Sequence, residues 1–508
     1  LLCSGFALYS FFRLSAAEGQ KDFNLYELVP STTSAVFVTD DVLEFVAEVD
    51  ELTCSKNQQY LYVSKLFSYL KQSLYALSED TPHGLSRQMN QMLISFHEPD
   101  NERNQVLYCR LGNGDKELVN RFVRKYISSL YPPKTFIYKG EEIIIYPMAD
   151  GDFLACYLTS DFMALSFQKK LIENVIDAYK SGKSLADDST FTGIRAPKKS
   201  AAAATIYTRM QGMMGWTEFD MKMKDDFIYF SGITHDADTC FAFINQLRQQ
   251  QSVKGFPGEV LPSTAFYFSR QGITDWVSLL SYGNAQGQSV PARTSEVQNR
   301  DKEFSRYLME NAGQDLVACL FQREDTLQGA AAVLSLSVAD VTEAERMLRA
   351  LVNAASADEG RRNPRITFCY TVNKAYPIYR LPQTTLFEQL TSFAEPTLDV
   401  YAAFYGGRLL LAPDADALAH YIRQLDKGEV LNGAMAYQTG MDHLSDSYHF
   451  MLMADFDHIF QQSENHVRFV PDFFLRNADF FRHFTLFVQF ACADGMVYPN
   501  IVLKYKSE

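Results

Sequence analysis

The chain has 508 residues, of which 47% are hydrophobic and 21% are charged, and its formal net charge is -14. This length exceeds what one hydrophobic core usually organises, so we expect two or three domains. The acidic balance argues against a nucleic-acid partner, because such binding needs a positive field facing the phosphates. It also disfavours broad docking onto anionic lipid headgroups.

The first residues form an unusually apolar segment. Residues 1–14, LLCSGFALYSFFRL, contain only two serines as polar residues before Arg13. The segment is shorter than the roughly 20 residues that span a bilayer, and no initiating Met precedes it. We interpret residues 1–22 as a truncated N-terminal membrane anchor, or an uncleaved signal, followed by a joint. The alternative is a mature N-terminus whose apolar residues pack on the body.

One block of the sequence recurs at a constant offset. Residues 153–191 predict two strands, a helix that ends at Gly182, and an exit loop that ends on an aromatic residue. Residues 399–437 repeat this pattern without a gap, and Gly182 then falls on Gly428. Strict identities are few, so the match depends on the register of strands, helix face and capping glycine.

Other parts of the chain also occur twice. Each copy opens with a Pro-Ser-Thr turn ahead of an alternating strand, so that Pro30 matches Pro262. Paired runs of β-branched and aromatic residues, FIYKGEEIIIYPM and ITFCYTVNKAYPIYRL, predict hairpins. A further hairpin is expected at residues 217–234 and another at 484–505. These segments predict sheets built mainly from antiparallel strands.

The repeated pattern predicts an α+β protein with two tandem repeats, each a mainly antiparallel sheet with helices packed on one face. Residues 23–250 form the first repeat and residues 251–508 the second, which carries a Phe-rich insertion near 458–484. The tandem copies, their Pro-Ser-Thr openings and the apolar N-terminus resemble bacterial envelope proteins grouped as a domain-of-unknown-function family. That resemblance implies an exported, membrane-tethered protein, and it transfers no catalytic residue.

The letters SGKS at 181–184 end like a phosphate-binding loop. Such a loop precedes the N-terminus of a helix and needs an earlier glycine, where this chain has Asp177. Here the letters follow a helix, and Gly182 is expected to be its C-terminal cap. The second copy keeps Gly428 and loses the other letters. The sequence therefore predicts no nucleotide and no cofactor.

Metal and catalytic motifs are equally weak. Asp455, Asp457 and His458 form a DxDH string, but no HExxH accompanies it. We interpret Asp457 and His458 as turn and helix-cap residues after a strand that ends at Asp455. The cysteines form no CxxC pair, and Cys109 and Cys156 lie in strand-like runs that predict buried free thiols. No GxSxG is present. We therefore predict no catalytic or metal-binding residue, and a protein that is not an enzyme.

The Phe-rich insertion has no counterpart in the first copy, so the repeated fold does not require it. Its sequence at 467–484, VRFVPDFFLRNADFFRHF, would give a helix a broad apolar face. An alternative is that the stretch packs on its own sheet. The candidate partner-binding residues are Phe469, Phe473, Phe474, Phe480 and Phe481.

The sequence predicts a membrane-anchored binding or scaffolding protein of the envelope, which acts through protein–protein contacts and could be a subunit of an envelope complex. It would be held in the bacterial inner membrane by a single N-terminal anchor, with its bulk in the periplasm. Its expected partners are other envelope or membrane proteins, with no nucleic acid and no nucleotide. A carrier or chaperone-like module for an apolar ligand or an unfolded chain is the first alternative, and a hydrolase is the second.

Overall fold

The structure is a computed structural model of the chain. The residues that it describes are 23–57, 91–98, 101, 103–112, 115–123, 131–148, 151–195, 202–209, 215–234, 242–280, 294–323, 330–358, 366–372, 374–391, 397–462 and 470–506. The predicted anchor at residues 1–22 lies outside this part of the chain.

The chain divides into two compact units. Unit 1 comprises Leu1–Glu51 and Leu61–Lys222, and unit 2 comprises Leu52–Tyr60 and Met223–Glu508. The division falls ahead of residue 251, where the sequence analysis begins its second repeat.

The strands and helices are numbered along the chain. The strands are β1 Ala35–Thr39, β2 Met92–Phe96, β3 Gln105–Arg110, β4 Lys134–Tyr138, β5 Glu141–Pro147, β6 Phe153–Leu158, β7 Phe162–Ser166, β8 Ala204–Thr208, β9 Thr217–Lys224, β10 Phe227–Thr234, β11 Val253–Lys254, β12 Ala265–Gly272, β13 Ala312–Gln322, β14 Ala330–Val338, β15 Ile366–Tyr370, β16 Ala375–Arg380, β17 Tyr401–Tyr405, β18 Arg408–Ala412, β19 Ser447–Tyr448, β20 Phe450–Asp455, β21 Phe484–Ala493 and β22 Met496–Tyr505. The α-helices include α1 Val42–Glu51, α2 Thr53–Lys56, α3 Asp115–Phe122, α4 Lys169–Ser181, α5 Ser189–Ile194, α6 Ala242–Arg248, α7 Ser295–Asn311, α8 Val341–Asp358, α9 Leu386–Leu390, α10 Ala415–Asp426, α11 Met435–Met441, α12 Phe456–Phe460, α13 Asp472–Arg476 and α14 Ala478–Phe481.

The sheet of unit 1 has the strand order β9-β8-β1-β2-β3-β7-β6-β5-β4, and every neighbouring pair is antiparallel. The hairpin of β4 and β5 turns at Lys139 and Gly140, where both residues have positive φ, 49° and 85°. A two-residue turn of this kind matches the twist of the strands it joins. The predicted hairpin in FIYKGEEIIIYPM is therefore confirmed.

The sheet of unit 2 has the order β10-β22-β21-β20-β12-β13-β14-β18-β17-β16-β15, again with antiparallel neighbours throughout. Strand β10 belongs to this sheet because it pairs with β22 over most of its length. Strands β11 and β19 form a separate two-stranded sheet. The α+β class and the mainly antiparallel sheets are thus confirmed.

Helices cover both faces of the unit 1 sheet, whereas the sequence analysis expected helices on one face. Val36 belongs to the core cluster that contains Leu171 and Ile172 of α4. Its neighbour Phe37 points to the opposite face, because successive side chains of a strand alternate. There its ring lies 5.2 Å from the ring of Phe45 in α1, measured between centroids.

The same correction holds in unit 2. Ile378 of β16 lies in the core cluster with Tyr421 and Ile422 of α10. The next residue, Tyr379, faces the other way and accepts a hydrogen bond of 2.6 Å from the guanidinium of Arg349 in α8. The prediction of helices on one face is therefore wrong. Strands that are covered on both faces are apolar at successive positions and do not alternate.

The block singled out in the sequence forms the predicted elements. Residues 153–191 fold into β6, β7 and α4, and Gly182 ends α4 in the left-handed region at φ 63°. Residues 399–437 contain β17, β18 and α10, and Gly428 follows α10 with φ 76°. Glycine adopts this conformation without the steric cost that other residues meet.

Candidate functional site

The Phe-rich insertion forms part of a compact aromatic group, which we call the phenylalanine cluster. Helix α12 directly follows β20, and helices α13 and α14 lead into β21. The rings of these elements contact one another in a continuous chain. The phenylalanine cluster consists of Phe456, Phe460, Phe473, Phe474, Phe480, Phe481 and Phe484.

The inner rings of the cluster belong to the hydrophobic core. Phe456 is 2% exposed, Phe481 is 7% exposed and Phe484 is fully buried. The ring centroid of Phe474 lies 4.9 Å from that of Phe456 and 4.8 Å from that of Phe481. Burying a phenylalanine side chain contributes about 1.5–3 kcal/mol. These rings therefore hold α12, α13 and α14 together.

The outer side of the cluster is open to solvent. Phe473 is 53% exposed, and Leu475, in the same short helix, is 36% exposed. The ring of Phe473 meets those of Phe474 and Phe481 in edge arrangements, with interplanar angles of 72° and 63°. Exposed charged residues, Asp472, Arg476 and Asp479, lie beside these apolar side chains in the sequence. An apolar centre with a polar rim is the usual anatomy of a protein–protein interface.

The structure separates the predicted partner-binding residues into different environments. Phe473 is exposed, Phe474 and Phe480 are half-buried, and Phe481 is buried, while Phe469 lies outside the described residues. Phe481 thus follows the alternative reading, in which the stretch packs on its own unit. Leu475 directly follows the pair Phe473 and Phe474 in the sequence, but it was not among the predicted partner-binding residues.

Asp455 connects the phenylalanine cluster to the end of the sheet. Its side chain accepts hydrogen bonds from the backbone N–H groups of Asp457 and His458, and so caps α12. The cap is therefore Asp455, whereas the sequence predicted the turn and cap at Asp457 and His458. The same carboxylate accepts a 2.7 Å bond from Lys506 and lies 3.4 Å from Nδ1 of His458. Within the described residues, no group of three or more His, Cys, Asp or Glu is arranged to hold a metal ion.

These contacts change the acidity of both partners. Burial by itself raises the pKa of Asp455, but the hydrogen bonds from His458 and Lys506 outweigh burial and lower it. The hydrogen bond to Asp455 raises the pKa of His458, against the opposing effect of burial. The ion pair therefore stabilises the fold above the ordinary pKa of an aspartate. It weakens again as pH rises through the pKa of His458.

We predict that Asp455→Asn lowers the pKa of His458 towards the ordinary histidine value, because the neutral amide removes the charge that favours the imidazolium. A pH titration of the His458 ring by NMR measures the change. Asp457→Asn is the control, since Asp457 affects the pKa of His458 only through its charge, and its effect is the smallest of those that act on this pKa. Equal shifts in the two variants would contradict the assignment of Asp455 as the partner.

The other motifs take the structural roles that the sequence analysis favoured. Gly182 caps α4, and the Ser184 hydroxyl donates a 2.8 Å hydrogen bond to the carboxylate of Asp187. Cys109 and Cys156 are buried in β3 and β6, and neither forms a disulfide. Burial raises the pKa of each thiol to about 12. Neither thiol is therefore in the thiolate form that nucleophilic catalysis requires at neutral pH.

Comparison with family models, with curated proteins and with solved structures finds no match to the chain. Among the described residues, no helix is both long enough and apolar enough to cross a membrane.

Proposed function

We propose that the protein is a non-enzymatic scaffold of the bacterial envelope, tethered to the inner membrane by residues 1–22, with its bulk in the periplasm. The partner-binding surface would consist of Phe473 and Leu475 at the outer side of the phenylalanine cluster. The observation that carries the proposal is the exposure of Phe473, 53%, in a helix whose other phenylalanine packs inwards. Exposed apolar side chains on a supported helix are typical anchors of protein interfaces.

The surroundings of Phe473 favour a protein partner over a lipid surface. Charged side chains of both signs, Asp472 and Arg476, are exposed next to it. Membrane-surface helices are instead rich in Lys and Arg, and the chain as a whole carries a net charge of -14. A partner of the expected kind is therefore another envelope or membrane protein that covers Phe473 and leaves the charged rim partly wet.

We further propose that the scaffold arose by duplication, so that residues 23–250 and 251–508 are tandem repeats. The strand orders support this. The order β9-β8-β1-β2-β3-β7-β6-β5-β4 corresponds position by position to β21-β20-β12-β13-β14-β18-β17-β16-β15. Two segments of unrelated origin would rarely have the same order of nine strands, because many sheet topologies are available.

Small details of the backbone support the duplication as well. An isolated antiparallel bridge joins Pro30 to Ser184, and another joins Pro262 to Val430. The sequence register matches Pro30 with Pro262 and Ser184 with Val430. The two bridges therefore join equivalent residues in the two copies. The Phe-rich insertion has no matching segment in the sequence of the first copy, and it is for this reason that we assign it to partner binding.

A paired substitution tests the proposed surface. Phe473→Ser together with Leu475→Ser is expected to reduce recovery of the specific partner at least about tenfold, because central apolar anchors dominate interface energies. The unfolding temperature should change little, since exposed positions usually contribute within about 0.5 kcal/mol. The measurement is quantitative affinity capture of the full-length anchored chain from membranes, which compares the proteins recovered with each variant.

Met435→Ser is the matched control, because Met435 is 81% exposed and lies in α11, outside the phenylalanine cluster. It should recover the same proteins as the unchanged chain. If no protein is lost specifically from the Phe473 and Leu475 variant, this surface does not bind the partner.

A further inference from the structure

Strand β15 forms an edge of the unit 2 sheet. Within the described residues it pairs with β16 and with no second strand. An edge strand exposes a row of unpaired backbone N–H and C=O groups, which can pair with another extended chain. This surface is separate from the phenylalanine cluster, and the inference drawn from it does not depend on the proposed function.

The register identifies which backbone groups of β15 point outwards. The N–H of Thr371 donates a 3.0 Å hydrogen bond to the carbonyl of Lys374, directly across the hairpin. Hydrogen-bonded and non-bonded pairs alternate along an antiparallel ladder. Phe368 and its opposite residue, Pro377, therefore form a non-bonded pair, which agrees with the missing N–H of proline. The N–H and C=O groups of Phe368 consequently point away from β16.

The same alternation applies to Ile366 and Tyr370. The backbone N–H and C=O groups of Ile366, Phe368 and Tyr370, every second residue of the strand, therefore all point away from β16. Their side chains share one face of the sheet. Phe368 is 54% exposed, Tyr370 is 73% exposed, and Ile366 is half-buried. The strand, ITFCY, contains none of the devices that usually protect an edge, such as a proline, a lysine or another charged residue.

We propose that β15 is a dimerisation strand, which pairs antiparallel with β15 of a second copy of this chain about a two-fold axis at Phe368. Phe368 would then lie opposite the second copy's Phe368. Ile366 would lie opposite the second copy's Tyr370. Both contacts are apolar, and aromatic or β-branched cross-strand pairs stabilise antiparallel sheets.

Self-complementarity is the reason to choose a second copy as the occupant. A two-fold contact places each residue of a patch against the same patch of its partner. In the register centred on Phe368, the side chains of Ile366, Phe368 and Tyr370 each lie opposite an apolar or aromatic side chain of the second copy, and none of the three lies opposite a charge. The outward N–H and C=O groups of the three residues are all paired across the axis in the same register.

Disulfide trapping tests the register as well as the contact. In a hydrogen-bonded antiparallel pair the Cα atoms are about 5.5 Å apart, within the range that a disulfide bridges. Phe368→Cys should therefore form a cross-linked dimer under mild oxidation. Tyr370→Cys is the matched control: it is even more exposed, but its two copies would be displaced by four residues, about 13 Å along the strands.

The unchanged chain is the blank for its native cysteines. A dimer band with Phe368→Cys that clearly exceeds both the Tyr370→Cys variant and the blank would support the proposal. Equal cross-linking of the two variants would show random collision and overturn the proposed register.

Sedimentation velocity over a range of concentrations tests the contact without cross-linking. The unchanged chain should associate to a dimer, and Phe368→Lys should remain monomeric, since two lysines would meet at the axis. Phe136→Lys is the control, because Phe136 is 43% exposed on β4, which in the described part of the chain pairs with β5 alone. A chain that is monomeric at all concentrations would overturn the proposal. So would a dimer that only the Phe136 variant disrupts, because its contact would lie on β4.

Discussion

Replacing Asp315 by alanine is expected to destabilise unit 2 by about 3–5 kcal/mol, because it removes the carboxylate that pairs with two largely buried guanidinium groups. The Asp315 carboxylate lies 3.1 Å from Nε of Arg270 and 3.3 Å from two nitrogens of Arg408. The three side chains are only 9–15% exposed. A denaturant titration of the purified chain measures the loss of stability, as a shift of the unfolding midpoint.

The pH dependence of stability gives a second measurement of the same interaction. Burial alone raises the pKa of Asp315, but Arg408, Ser337 and Arg270 together lower it below its ordinary value. The folded state therefore binds this proton less readily than the unfolded state does. The stabilisation is fully present above the ordinary aspartate pKa and is lost as pH falls through the lowered pKa. The Asp315→Ala variant should lack this part of the acid sensitivity.

The exposed ion pair of Arg346 and Glu343 provides the control. Its side chains are 68% and 48% exposed, and such pairs contribute between zero and about 1 kcal/mol. Glu343→Ala should therefore shift the midpoint little. If Asp315→Ala and Glu343→Ala shifted the unfolding midpoint by equally small amounts, the charges around Asp315 would be solvated. That result would contradict their burial in the structure.

The arrangement around Asp315 could not be read from the sequence. Arg270, Asp315 and Arg408 lie on β12, β13 and β18, and only the pairing of these strands with their neighbours brings the charges together. No spacing rule connects residues so far apart in the chain. By contrast, the hairpins and the capping glycine Gly182 were predictable, because turn and cap conformations depend on adjacent residues.

The error about helix layers has a visible physical cause. Residues 316–321, LVACLF, and 331–336, AAVLSL, are nearly continuous apolar runs, and all of them are buried. Such runs are typical of strands covered on both faces, whereas a sheet with one wet face alternates. The signal for a second helix layer was therefore present in the sequence.

The candidate site was predictable as a segment but not residue by residue. The density of phenylalanine near residue 474 marked the region, yet α13 and α14 have only five and four residues. Helical periodicity cannot separate an inner from an outer face over so short a length. The contacts with Phe456, which decide that Phe474 and Phe481 point inwards, come from a different helix.

The strongest test of the division within the phenylalanine cluster is Phe481→Ala, which is expected to destabilise unit 2 by about 3–5 kcal/mol. Phe481 is 7% exposed, and its ring contacts Phe456, Phe473, Phe474 and Phe480. Truncation leaves a cavity that these large rings cannot close without moving. Differential scanning calorimetry should show a lower unfolding temperature for the transition of unit 2.

Phe473→Ala is the matched control, because it removes the same atoms from a residue of the same cluster that is 53% exposed, compared with 7% for Phe481. It should change the unfolding temperature little, since the lost ring is half in water already. A large destabilisation by Phe473→Ala would identify its ring as core and withdraw the basis for the docking surface. A large loss of stability with Phe481→Ala but not with Phe473→Ala would support the division. Phe481 would then belong to the packed core that holds the exposed ring of Phe473 in place, as an interface anchor requires.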